Sequence, residues 1–280
     1  MSIRIITDST SDISRKEGTK LNIDIVPLKI NIDGASYTEG IDITNEEFYE
    51  KLETSNNLPT TSTPAPEDYL TYFEEAKKAG DDVIVITLSS GLSGTYQCAN
   101  IAKDISEYSN IHVIDSKQAT LSQMLLVKYA VQLRDEGKSI DEIILAIEEA
   151  KERVVLLLTL DTLNYLYKGG RLSKGASIAG NLLKIKPIIT VTDGVADLIS
   201  KARGFKGSMN TMLELTKEYG PFDPNMLVVY GYSGNPERCE SFKKNADETF
   251  SFIDTEMISI GSVIGTYAGP KAYGIAFFKK

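Results

Sequence analysis

The chain has 280 residues, and its 39 acidic and 30 basic side chains give a formal net charge of −9. Nucleic-acid-binding proteins use clustered Lys and Arg to displace counterions, so this acidic balance predicts no nucleic-acid partner. A hydrophobic content of 42 % is ordinary for a globular protein, and a chain of this length predicts roughly two domains.

The sequence contains no recognisable membrane or export segment. Its longest strongly apolar run covers residues 154–158, whereas a membrane helix needs roughly 20 apolar residues. The N-terminal residues lack the apolar core of a signal peptide. We therefore expect a cytoplasmic protein without stable membrane insertion. Cys98 and Cys239 are far apart and lack companion histidines, so we interpret both as buried small hydrophobic residues rather than metal ligands.

The first half of the chain alternates short β-branched segments with helical segments. Strands are predicted at residues 3–7, 83–88 and 111–115, and helices at 66–79, 94–108 and 119–136. Two capping boxes, Thr44 with Glu47 and Ser139 with Glu142, mark further helix starts, as does Thr63 before Pro64. This alternation predicts βαβ units and a parallel sheet. A strand at 154–160 is expected to close this half of the chain.

A glycine break at residues 167–171 is expected to open a second domain. Strands at 187–192 and 195–203 flank Asp193-Gly194, a pair that supports the positive φ angles of a tight hairpin. Helices at 207–219 and 236–250 and strands at 226–232, 253–260 and 273–278 follow. The predicted fold class is α/β: a doubly wound, mainly parallel N-terminal domain at residues 1–160, and a smaller α+β domain at 161–280 with a mixed or antiparallel sheet.

Hydroxyl side chains collect where the predicted parallel strands end. They occur in residues 8–12, 89–95 and 115–116, and again in 60–63, a loop stiffened by flanking prolines. Ligands bind beyond the carboxyl ends of parallel strands. Ser93, next to Gly94 and a helix start, would suit a carboxylate or phosphate. Helix capping and turns explain each segment separately, but their coincidence favours an anion site.

The sequence offers no evident catalyst. S-G-L-S-G lacks the spacing of the GxSxG nucleophile elbow, and His112, the single histidine, lies inside an apolar strand, which disfavours a Ser-His-Asp triad. Neither GxxxxGK[ST] nor GxGxxG occurs. The segment Lys168-Gly169-Gly170-Arg171 is equally typical of a phosphate-binding loop and of a solvent-exposed turn.

Five motifs resemble the DegV family in type and order. They are T-D-S-T-S-D at 7–12, T-S-T-P at 61–64, S-S-G-L-S-G-T-Y at 89–96, K-G-G-R-L at 168–172 and G-T-Y-A-G-P at 265–270. The resemblance spans nearly the whole chain. It implies a non-catalytic bacterial protein of phospholipid metabolism that binds a long-chain fatty acid between its two domains, without a cofactor. A separate kinase subunit would bring ATP and phosphorylate the bound carboxyl group.

The resemblance also implies a set of site residues. Thr61 or Ser62, together with Ser93, match the hydroxyl donors to the carboxylate, and Gly94, Thr266 and Tyr267 complete the predicted ligand site. Arg171 and Arg203 match basic positions near the pocket mouth, where they would contact the kinase or the phosphate. The family commonly has histidine at the position of Tyr267 and serine at that of Ala65. Because tyrosine adds no positive charge at pH 7, head-group binding should depend less on pH between about 5 and 8 than with histidine.

The acyl tail would require an apolar tunnel, in which each buried methylene contributes about 0.8 kcal/mol. Tunnel candidates, which could equally be ordinary core, are Ile178, Leu182, Leu183, Phe205, Met209, Met212 and Ile264. Two other functions stay open. The chain could be an acyl- or phosphoryl-transfer enzyme that uses Ser93, or a regulatory or interaction module with a vestigial pocket.

Overall fold

The computed structural model describes residues 2–55, 57–173 and 184–280. The first half of the chain contains β1 (Ile3–Asp8), α1 (Arg15–Leu21), β2 (Ile23–Val26), β3 (Lys29–Ile32), β4 (Ala35–Thr38), α2 (Asn45–Thr54), β5 (Thr60–Ser62), α3 (Pro66–Ala79), β6 (Asp82–Thr87), α4 (Thr95–Ser106), β7 (Ile111–Asp115), α5 (Thr120–Asp135) and α6 (Ile140–Ala150). The second half contains β8 (Val154–Thr159), α7 (Asn164–Lys168), β9 (Ile185–Thr192), β10 (Val195–Arg203), α8 (Gly204–Glu218), β11 (Val228–Tyr232), α9 (Glu237–Phe250), β12 (Thr255–Ser259), α10 (Ser262–Ala268) and β13 (Tyr273–Phe278).

The first sheet has the order β2-β1-β6-β7, and all of its strand pairs are parallel. Ile5 of β1 lies opposite Ile23 on one side and Ile84 on the other. The chain leaves β1 for β2 in one direction and later returns to its other side as β6, so a topological switch point lies between β1 and β6. In open α/β sheets ligands bind outside the carboxyl ends of the strands at such a point. The predicted α/β class and parallel sheet are confirmed.

The second sheet is mixed, with the order β10-β9-β8-β13-β11-β12. The pair β11 and β12 is parallel, and the other pairs are antiparallel. The predicted hairpin of β9 and β10 is confirmed, with φ angles of 49° at Asp193 and 79° at Gly194. The strand expected to end the first half of the chain, β8, pairs with β13 and β9 and so belongs to the second sheet. The division at residue 160 stays a prediction, although sheet membership groups β8 with the second half.

A third, three-stranded sheet has the order β4-β3-β5. The segment expected to be a proline-stiffened loop forms β5, in which Thr61 lies opposite Ile30 of β3. The helix predicted at 66–79 is confirmed as α3, although Thr63 and Pro64 do not form its start. Helix α3 begins at Pro66, which occupies the first helical position, where proline's missing N–H is not needed. The two predicted capping boxes are confirmed at the starts of α2 and α6.

Helix α5 lies between the first and second sheets and contacts strands of both. From Thr120 to Val127 every side chain is buried, as expected for a helix enclosed by protein on more than one face. Cys239 is buried as predicted, whereas Cys98 is only half-buried because it lies near the outer side of α4. His112 occupies β7 opposite Ile84. No helix within the described ranges has the length and apolar character needed to span a bilayer.

Candidate functional site

A mainly apolar cavity lies between the carboxyl ends of the first sheet, the second sheet and α10. It encloses about 650 Å³ outside the protein atoms, a figure that includes the open space at its mouth. Thirteen of its eighteen lining residues are aliphatic, and Arg171 is the one charged side chain among those described. The lining residues are Leu28, Thr61, Leu88, Leu92, Ser93, Ala119, Thr120, Leu156, Leu158, Leu166, Arg171, Ile189, Val191, Ala196, Val263, Ile264, Tyr267 and Ala268.

Thr61, Tyr267 and Arg171 form a connected polar group at the cavity. The hydroxyl oxygens of Thr61 and Tyr267 lie 2.6 Å apart in a hydrogen bond. The guanidinium carbon of Arg171 lies 4.8 Å from the centre of the Tyr267 ring, a cation–π distance. Arg171 Nε donates to the Leu92 carbonyl (3.2 Å) and Nη1 to the Gly169 carbonyl (2.7 Å). These contacts hold a positive charge beside two hydroxyl groups.

Ser93 borders the same cavity from the turn that precedes α4. Its hydroxyl oxygen lies 2.9 Å from that of Thr95 and accepts a 3.4 Å bond from the Thr95 N–H. Thr61 on β5 and Ser93 before α4 therefore line one cavity, although the chain separates them by an entire helix and strand. A carboxylate accepts several hydrogen bonds, so hydroxyl groups gathered in this way can bind one.

Four predicted site residues do not line the cavity. Ser62 is exposed and accepts a bond from Asn31 Nδ2 (3.3 Å), because alternation along β5 directs it away from the face of Thr61. The Thr266 hydroxyl is buried and donates to the Ser262 carbonyl within α10 (2.9 Å). Gly94 is exposed at the cap of α4. Arg203 is exposed where β10 meets α8.

The predicted tunnel residues divide similarly. Ile264 lines the cavity. Phe205, Met209 and Met212 pack instead into the aromatic-rich core on the other face of the second sheet, with residues of β11, α9 and β13. Ile178, Leu182 and Leu183 lie outside the described residues.

Most of the hydroxyl groups collected at the strand ends serve the fold rather than the cavity. The Ser89 hydroxyl donates to the Gly194 carbonyl (2.7 Å) and so ties the β9–β10 hairpin to the turn before α4. The Ser90 hydroxyl donates to Asp115 (2.5 Å), and the Ser116 hydroxyl to the Gln118 carbonyl (3.1 Å). These hydroxyl groups therefore hold loops and the hairpin in place, within one turn for Ser116 and between distant segments for Ser89 and Ser90.

Asp8, at the end of β1, anchors the switch point. It accepts bonds from the N–H groups of Leu88 (2.7 Å) and Thr10 (3.1 Å), from the Thr10 hydroxyl and from Gln123 Nε2 (3.3 Å). Burial raises the pKa of the Asp8 carboxyl group, and its hydrogen bonds oppose that shift. The carboxylate thus joins β1 to the residue after β6 and to α5, and two of the residues at these elements, Leu88 and Thr120, line the cavity.

The sequence analysis did not identify two further carboxylates, Asp12 and Glu39. Glu39 is 7 % exposed, while Asp12 keeps part of its surface at a second cleft, between α1 and β12. Both contact the first turn of α10. Asp12 lies in the T-D-S-T-S-D motif, where it resembles a turn residue, and no local pattern marks Glu39. Within the described ranges, no group of three or more His, Cys, Asp or Glu side chains is arranged to hold a metal ion.

Comparisons with known proteins agree with this architecture. The DegV family model matches residues 2–280. A DegV domain-containing protein of Caldanaerobacter subterraneus subsp. tengcongensis is 40 % identical over 281 residues, covering 99 % of each chain. A DegV family protein of Thermus thermophilus, described by its fatty acid binding, superposes with a TM-score of 0.92 at 28 % identity and 100 % coverage of both chains. A stearic acid-binding protein of Eubacterium ventriosum gives 0.91 at 30 % identity, covering 100 % of this chain and 99 % of that one.

Proposed function

Because the chain belongs to the DegV family, we propose that it binds a long-chain fatty acid and presents the carboxyl group to a separate ATP-binding kinase subunit. The observation that carries this proposal is a cavity whose described lining is aliphatic except for Thr61, Ser93, Thr120, Tyr267 and Arg171. Thr61, Tyr267 and Arg171 form its connected polar group. A ligand that is apolar along its length and anionic at one end complements such a cavity. The names of two solved structural neighbours point to the same ligand class.

The polar group would orient the head and the aliphatic wall would supply most of the affinity. A carboxylate at this position would accept bonds from the Thr61 and Ser93 hydroxyls, and the Arg171 guanidinium would compensate its charge. Hydrogen bonds to charged groups contribute about 1.5–3 kcal/mol each. Burial contributes about 0.8 kcal/mol per methylene, so a tail of a dozen methylenes outweighs the head.

The test of binding is the lipid content of protein purified after bacterial expression. Mass spectrometry of a lipid extract should show about one fatty acid per chain. Thr61→Val with Ser93→Ala should lower that content, while Ser62→Ala, which removes the neighbouring exposed hydroxyl, should not. An empty extract from well-folded protein would contradict the proposal, as would equal lipid content in all three proteins.

Presentation to a kinase subunit is supported by a sequence that contains no GxxxxGK[ST] motif for binding ATP. Among the described residues Ser93 has no basic neighbour of the kind that activates a nucleophile, since its hydroxyl contacts Thr95 and His112 lies on β7. Arg203 is exposed outside the cavity and Arg171 lines it. Arg171 would contact the phosphate at the cavity, and Arg203 would contact the partner.

A phosphorylation assay separates this role from catalysis by the chain itself. The purified chain, loaded with palmitic acid and given ATP, should form no acyl phosphate until the kinase subunit is added. Arg203→Ala should slow the reaction without changing the affinity for palmitic acid, whereas Arg171→Ala should reduce both. Acyl phosphate formed by the chain alone, and abolished by Ser93→Ala, would favour a transferase instead.

A further inference from the structure

We propose that Asp12 and Glu39 act as a proton-dependent clamp on the first turn of α10, through which pH sets the affinity of the cavity for its fatty acid. The inference rests on the function proposed above. It assigns these two residues a positioning role, since neither lines the cavity.

Both carboxylates hold the start of α10. Asp12 Oδ1 accepts a 2.9 Å bond from the Gly261 N–H. Glu39 Oε1 accepts bonds from the Val263 N–H (2.7 Å) and the Ser262 hydroxyl (2.9 Å). A Cβ atom at Gly261 would lie 2.6 Å from Glu39 Oε1 and 2.7 Å from Asp12 Oδ1. The two carboxylates therefore converge on one backbone position, which only glycine can occupy without displacing them.

The clamp is connected to the cavity by two routes. Helix α10 contributes Val263, Ile264 and Tyr267 to the lining, so its position sets part of the wall and the polar group. Asp12 Oδ2 also accepts a 2.5 Å bond from the hydroxyl of Thr120, which lines the cavity. Thr120 has a φ of 49°, an unfavourable angle for a β-branched residue that its surroundings must maintain.

Within the described ranges, Asp12 and Glu39 are not neutralised by an ion pair with a basic side chain. No ion pair among the described residues joins Lys or Arg to Asp12 or Glu39. The titratable and charged groups around the pair are Asp8 at the end of β1, Tyr49 of α2, Arg15 and Glu17 of α1, and Lys128 of α5, which pairs with Glu17 and with Glu256 of β12.

Glu39 Oε2 is buried and has no hydrogen bond of ordinary geometry, although the Ser9 hydroxyl lies near enough to this carboxyl group to lower its pKa. Burying an ionised carboxylate is costly. Burial raises the pKa of Glu39, and burial together with the negative charge of Glu39 raises the pKa of Asp12 well above its usual value. At low pH the protonated pair can hold α10 without mutual repulsion. As the pH rises, both groups ionise in contact with one turn of helix, and their repulsion loosens α10 and Thr120.

The experiment measures the affinity of delipidated full-length protein for palmitic acid at pH 6.0 and pH 8.5. If ligand binding raises the pKa of the pair by one unit, the wild-type affinity should fall about tenfold over this range. In Glu39→Gln the affinity for palmitic acid should differ by only about twofold between the two pH values. Asp12→Asn should do the same, and asparagine tolerates the positive φ of 56° at this position. Glu17→Gln, which removes a charge from the same cleft but not from α10, should behave as wild type.

Hydrogen exchange of the α10 amides, corrected for the intrinsic effect of pH, gives a second readout that needs no ligand. Protection should decrease with pH in the wild type and not in Glu39→Gln. Equal pH profiles in wild type and both clamp variants would overturn the inference, and so would a flattened profile in Glu17→Gln. Wild-type protein that binds no palmitic acid at pH 6.0 would overturn the proposed function instead, and the exchange data would then decide the clamp alone.

Discussion

The hydrogen bond between Thr61 and Tyr267 gives the sharpest test of the polar group. Tyr267→Phe keeps the ring that lies 4.8 Å from the Arg171 guanidinium carbon and removes only the hydroxyl that bonds Thr61 at 2.6 Å. If Tyr267 acts by orienting Thr61, the loss is that of one neutral hydrogen bond, about 1 kcal/mol, or about fivefold in affinity. Thr61→Val removes a bond to the ligand's charge, which predicts about 2 kcal/mol and about a thirtyfold loss.

The double variant distinguishes an indirect from a direct role of Tyr267. Because its hydroxyl would act through Thr61, Thr61→Val with Tyr267→Phe should bind about as weakly as Thr61→Val alone. Affinity can be measured by displacing a fluorescent fatty acid from delipidated protein, with urea unfolding to check stability and Ser62→Ala as the matched control. If the two losses multiply instead, Tyr267 contacts the ligand independently and the reasoning is refuted.

Three further predictions concern pH and packing. Burial raises the pKa of Glu39 above about 4.5, so the folded state retains a proton that the unfolded chain has lost, and the free energy of unfolding should fall as pH rises through the raised pKa. Urea unfolding at pH 5 and pH 8 should show a smaller fall in Glu39→Gln than in the wild type. An equal fall in both proteins would contradict the predicted direction. Gly91→Ala places a Cβ atom 2.6 Å from the Gly194 carbonyl oxygen, and the overpacking should lower the free energy of unfolding by about 1–3 kcal/mol. Gly207→Ala, with no atom within 4 Å of the new Cβ, should not lower it. Similar unfolding midpoints for the two variants would count against close packing of the β9–β10 hairpin on Gly91. Tyr267→His should make fatty-acid affinity more pH-dependent between pH 5.5 and 7.5 than in wild type, and identical titration curves would remove that argument.

The site was only partly predictable, because periodicity identifies elements more readily than the direction of individual side chains. Thr61 and Ser93 were both candidates, and the structure brings them to one cavity. The sequence favours Ser62 and Thr61 equally, but in β5 the two side chains lie on opposite faces of the strand. Shifting a strand's alternation by one residue exchanges its two faces, and a three-residue strand between prolines gives no local pattern that fixes this choice.

Helix starts and tight turns could be predicted before the fold was known, because they depend on residues that are neighbours along the chain. The capping boxes at Thr44 and Ser139 and the Asp193-Gly194 turn specify their structures through contacts spanning a few residues, so helices and hairpin appear where expected. Tertiary structure alone decided that β8 joins the second sheet and that Asp12 meets Glu39 at α10. These outcomes depend on strand pairing and burial between segments that are far apart in the chain. Such contacts contribute free energy only when the elements are assembled, so no short stretch of sequence predicts them.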